Sequence, residues 1–124
     1  MEIKLYLIIT IISTITAVAN PKKTEPSIEL KNICLNCHSR QKIPSELVYR
    51  RYLMRYSTNK NMQKAILEYL KNPNPKNSIM PKQFFFKFPK KERSENNIST
   101  IKRGIEEYLN YFDIKNKLIL PFSM

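Results

Sequence analysis

The chain is short of glycine, of histidine and of negative charge, and each shortage narrows what it can be. Only Gly104 is glycine among 124 residues, against eight prolines. Tight hairpins rely on glycine for positive φ, so an all-β architecture is disfavoured and helices are the expected building blocks. Tryptophan is absent, histidine occurs once (His38) and cysteine twice, at Cys34 and Cys37. That set falls short of the four soft or imidazole ligands of a structural zinc site. Acidic residues number 10 against 22 Lys and Arg, a net charge of +12. A surplus this large steers encounters toward acidic partners, nucleic acid being the usual first guess.

Long hydrophobic runs are also missing. The longest is Leu5 to Val18, about fourteen residues, preceded by a short charged start and followed by Ala17-Val18-Ala19 and Asn20-Pro21. Crossing a bilayer takes about twenty residues. The order of charged start, short apolar run and small residues is that of a secretory signal peptide over 1–19, with a retained anchor as the alternative. The domain that remains keeps the net charge of +12, because Glu2 and Lys4 leave together. Export places the protein in the periplasm and argues against nucleic acid, leaving acidic protein surfaces and anionic membrane surfaces.

What is present is helical. After a leader over 20–26, Ser27 is placed to cap a short helix with Glu29 in its first turn. A second begins near Pro44-Ser45-Glu46, with Ser45 as cap. Tyr49, Tyr52, Leu53 and Tyr56 form its apolar stripe, with Arg50, Arg51 and Arg55 opposite. A third runs from about Lys60 to Lys71, with Met62, Ile66, Tyr69 and Leu70 on one face, and stops at Asn72-Pro73-Asn74-Pro75. Residues 76–92 read as a long irregular stretch carrying Met80-Pro81 and Phe84, Phe85, Phe86 and Phe88. The clearest helix holds Ile98, Ile101, Ile105, Tyr108, Leu109 and Phe112 in register, with Ser94 or Asn97 as start signal. The tail over 114–124 is apolar enough to pack. One all-α domain over 27–113 is the expectation.

Cys34-Leu35-Asn36-Cys37-His38 is the pattern of c-type haem attachment. Cysteines three apart fall on one side of a helical turn, where both sulfurs can bond the two vinyl groups of one porphyrin, and the next residue supplies the proximal imidazole. A disulfide, or a thioredoxin-like redox pair, would use the same two cysteines, but neither needs the histidine, and the second expects a βαβ context. With His38 used, a protein-derived sixth ligand falls to a methionine. Met54 and Met62 sit on helix faces, where methionine fills cores. Met80 stands in a loop, stiffened by Pro81, and is the expected distal ligand, with core packing as its alternative. His/Met ligation raises the potential relative to two nitrogen ligands and leaves no open position for substrate.

On these residues the chain resembles the class I, mono-haem cytochromes c, over roughly Ser27 to Phe112. The likeness rests on the Cys34–His38 motif, on Tyr69-Leu70-Lys71-Asn72-Pro73, on Met80-Pro81, and on a final helix ending near Tyr108-Leu109. It implies an all-α fold wrapped around one haem c held by Cys34 and Cys37, with one haem edge exposed. The family often carries a glycine and an aromatic on the first helix, where this chain has Pro26 and Leu30, and a Gly-Pro loop after the histidine, where it has 39–43 and then Pro44. Pro44 could offer its carbonyl to the free ring nitrogen of His38.

The expected activity is single-electron transfer, not catalysis, since no spare histidine or acid–base pair accompanies the haem. Lys42, Lys82, Lys87, Lys90 and Lys91 would face acidic oxidase or reductase surfaces. The alternatives are a ligand-binding or sensory haem protein and a haem subunit of a larger respiratory complex. The expected state is accordingly a monomer or one subunit of a redox complex, with membrane-surface association a further option.

Overall fold

The computed structural model describes residues 25–40 and 43–118. The segment 1–19, the leader up to residue 24, Lys42 and residues 119–124 therefore lie outside the described residues. Within them every regular element is helical. The expected all-α class holds.

The first helical segment, α1, is continuous but mixed: Ile28–Leu30 is α-helix, Lys31–Leu35 widens into π geometry, and Asn36–Arg40 returns to α-helix. Ser27 caps it as expected, its Oγ accepting from the Leu30 N–H at 3.0 Å. The π turn is closed by the Asn36 N–H donating to the Lys31 carbonyl, and such turns concentrate at functional sites. Helix α2 spans Ser45–Tyr56 and α3 spans Asn59–Lys71. Between them Ser57 takes φ 61°, a left-handed closure that this glycine-poor chain makes with serine at a cost of about 1–2 kcal/mol. Thr58 then caps α3 through its side chain. The helix stops at Lys71, ahead of the Asn-Pro pairs.

The stretch expected to be irregular contains one helical turn, α4, at Phe84–Lys87. The turn is led in by the Phe84, Phe85 and Phe86 N–H groups, which donate to the Pro81, Lys82 and Gln83 carbonyls at 3.0, 3.1 and 3.2 Å. Helix α5 spans Ile98–Phe112 and is capped by Asn97, one of the two expected starts. A 3-10 turn follows at Ile114–Lys117.

Helix α5 is the hub, packing against α1, α2 and α3. Its stripe of Ile101, Ile105, Tyr108 and Leu109 is buried against Leu30 of α1, Val48, Tyr49 and Tyr52 of α2, and Met62 and Ile66 of α3. Gly104 sits where α5 crosses α1, and a Cβ built there would stand 3.1 Å from Ile33 Cγ2 and Cδ1. The small residue of the crossing is thus on the last helix, not the first. The start of α1 is clamped to α5 by Glu107, which accepts from the Ser27 N–H at 3.1 Å and the Ser27 hydroxyl at 2.7 Å. Arg103 and Glu29 add an exposed pair at 3.2 Å.

Several sequence expectations need correction. Met54 is 78 % exposed and fills no core, whereas Met62 is fully buried. Arg51 is not wholly on the solvent side, since its Nε is buried without a partner among the described residues. Ser45 does not cap α2: Pro44 precedes the helix in extended geometry, and no side chain caps it. The tail does not pack where it is described, since Ile114 and Leu118 are exposed. The turn at Ile114–Lys117 is tied down instead by Lys117, whose ammonium meets Glu46 at 2.7 Å.

Candidate functional site

The elements are arranged around a partly open cleft with about 100 Å³ of internal space. Helix α1 supplies Ile33, Cys34, Cys37 and His38; α2 supplies Val48 and Tyr52; α3 supplies Ile66, Tyr69 and Leu70. The loop after α3 closes the far side with Ser78, Ile79 and Met80, Phe84 of α4 extends it, and Ile105 and Tyr108 of α5 form the floor. All four predicted site residues, Cys34, Cys37, His38 and Met80, therefore line one space. Of the predicted lysines, Lys91 lines it too, while Lys82, Lys87 and Lys90 are exposed.

His38 is held from two directions. Its Nδ1 lies 3.0 Å from the Ser45 Oγ, and the Tyr108 ring meets it edge-on at 6.2 Å between centroids. Tyr108 is itself fixed, because its hydroxyl donates to the Ser45 carbonyl at 2.6 Å. Ser45 reaches the histidine because the chain doubles back after α1, with the Ile43 N–H donating to the His38 carbonyl at 3.0 Å. The expected partner was the Pro44 carbonyl. That oxygen instead accepts from the Leu47 and Val48 N–H groups at 3.0 and 3.3 Å, so it is engaged in starting α2. Burial holds His38 below its ordinary pKa, and the positive charge of Lys91 pushes the same way. The imidazole is accordingly neutral near pH 7, with Nδ1 on Ser45 and Nε2 left for a ligand.

Cys34 is pushed up to about 12 by burial, with Lys91 opposing and Glu107 adding to the shift. The thiol stays protonated, with the Gly104 carbonyl 3.9 Å from its sulfur. Across the cleft, Met80 is positioned by Ser78, a buried serine whose Oγ accepts from the Met80 N–H at 3.1 Å. Burial raises Tyr69, which lines the same cleft, above the ordinary tyrosine range. Burial likewise raises Tyr52 and Tyr108, so all three phenols facing the cleft remain neutral.

The donor set does not suit a bare metal ion held by protein side chains alone. Among the described residues no three His, Cys, Asp or Glu side chains converge, whereas one imidazole and one thioether line the cleft within an apolar wall. Nothing in the sequence alone marks Ser45, Ser78 and Tyr108 as site residues. A serine two positions before Met80 is a local signal for the turn that holds it, but Ser45 meets His38 only through the chain reversal.

The chain matches no protein-family model, no curated protein and no solved structure.

Proposed function

We propose that the protein is a small exported c-type cytochrome, resembling class I, that carries single electrons between partners in or on the membrane side of the periplasm. The observation that carries this is the convergence on one apolar cleft of Cys34, Cys37 and His38 from the first helix and Met80 from a loop beyond the third. Cys34 and Cys37 would hold one haem c covalently, and His38 and Met80 would supply a nitrogen and a sulfur donor to its iron. Bound there, the haem supplies a one-electron iron couple.

The chain's own residues do the rest. For Nε2 of His38 to donate, Nδ1 must carry the proton, and it then donates to the Ser45 Oγ, which fixes the ring plane. Ser78 holds the Met80 backbone. Ile79, Phe84, Ile105 and the phenols exclude water, which limits reorganisation when charge changes. The lysine-rich surface would recruit acidic redox partners and speed encounter.

The test is the visible spectrum, oxidised and reduced, of protein matured in a cytochrome c-competent periplasm, beside Met80→Ala. Covalent haem with a methionine-to-ferric-iron absorption that disappears in Met80→Ala is the expected result. Covalent haem without that absorption, and rapid carbon monoxide binding when reduced, would replace electron transfer with ligand binding. Absence of haem would overturn the proposal.

A further inference from the structure

Residues 82–91 contain four phenylalanines and four lysines and no acidic residue. Three of the aromatics pack. Phe84 stacks on Phe88 at 4.5 Å, and Phe85 meets Phe84 edge-on at 5.4 Å. The fourth does not: Phe86 is 86 % exposed, the most exposed large hydrophobic side chain among the described residues. It stands on the single turn of α4, four positions after exposed Lys82, directly before exposed Lys87 and four before exposed Lys90. None of these lysines makes an ion pair among the described residues, where the pairs are Arg50–Glu46, Arg103–Glu29 and Lys117–Glu46.

A bare aromatic ring surrounded by uncompensated ammonium groups has two complements, an acidic protein or an anionic lipid surface. A stable protein interface buries about 800 Å² on each partner around a packed centre. One projecting ring flanked by solvated lysines offers no such centre. A bilayer interface asks for less: aromatic side chains settle at headgroup depth, and lysines close to anionic headgroups add attraction one by one. We infer that the turn around Phe86 is a membrane-docking element, with Phe86 entering the headgroup layer of an anionic phospholipid bilayer and Lys82, Lys87 and Lys90 against its phosphates. Because Phe84 of the same turn lines the cleft, docking would hold the redox site beside the membrane surface. The inference stands without the haem, since it rests only on the exterior of α4.

Co-sedimentation with vesicles tests it, using the protein recovered from the periplasmic fraction with whatever group it carries. Binding to phosphatidylglycerol vesicles, weakened by salt and absent on phosphatidylcholine, is expected. Phe86→Ser should weaken it about tenfold or more, and each of Lys82→Gln, Lys87→Gln and Lys90→Gln about fivefold. Phe86 is exposed, so helix content by circular dichroism should not change in these variants. The chain has no tryptophan, so Phe86→Trp places a single indole there, and its emission should shift to the blue on phosphatidylglycerol. Equal binding to both lipids would mark insertion of the apolar N-terminal run and overturn the inference. So would unchanged binding by Phe86→Ser, an unshifted indole, or capture by acidic proteins with no affinity for either vesicle.

Discussion

At the scale of single residues, Ser45 carries more of the site than its position suggests. One residue offers its side-chain oxygen to Nδ1 of His38 and its carbonyl to the Tyr108 hydroxyl, so imidazole and phenol are oriented by the same point of the backbone. Only the first contact is lost in Ser45→Ala, because the carbonyl stays. A proton donor at Nδ1 without its acceptor makes the imidazole a weaker base toward iron. If the proposed haem is held by His38 and Met80, ferrous iron would gain relative to ferric, and the midpoint potential of Ser45→Ala should rise by roughly tens of millivolts with the methionine absorption intact. Potentiometric titration reads this directly, and an unchanged potential would mean the serine only fills space.

At the scale of elements, the crossing of α1 and α5 decides where the cysteine motif points. Ile33 presses on Gly104, and the next residue, Cys34, faces the cleft, so a change in helix separation moves the attachment site with it. Gly104→Ala sets a gain in helix propensity of about 1 kcal/mol against a methyl group at 3.1 Å from Ile33, and should fall within about 1 kcal/mol of the wild type. Gly104→Leu has no such offset in space and should lose about 1–3 kcal/mol, read by thermal or urea unfolding, with poorer haem attachment as a second sign. Equal stability of the two variants would show that the helices separate freely. The elements themselves were largely legible. Periodicity and the Ser27 and Asn97 caps located α1, α3 and α5, because those signals are local. The π turn, the role of Gly104 and the Ser45–His38 contact were not legible, because each depends on which helices meet. Met54 misled for the same reason: spacing places it on a face, but only packing determines which faces are covered.

At the scale of the whole molecule, the cleft interrupts the core. Six large side chains, Tyr49, Leu30, Met62, Ile101, Ile105 and Leu109, are fully buried, while the cleft beside them holds about 100 Å³ of unfilled space. Unfilled apolar space costs about 24 cal/mol per Å³. The cleft's roughly 100 Å³ corresponds to about 2 kcal/mol, an appreciable part of the roughly 5–15 kcal/mol of a whole domain. Filling the cleft is thus expected to add stability, and the haem proposal makes that gain testable without measuring electron transfer. In Cys34→Ala/Cys37→Ala both proposed covalent attachments would be lost but the apolar wall is kept almost unchanged. If the proposal holds, this variant should melt about 10 °C below the protein matured with its group, as loss of about 2 kcal/mol in a domain of this size implies. The double variant melting cooperatively at nearly the same temperature would mean that the helices support themselves around an empty cleft. Attachment through Cys34 and Cys37 would then contribute nothing to the fold, and the proposed cofactor would lose its structural rationale.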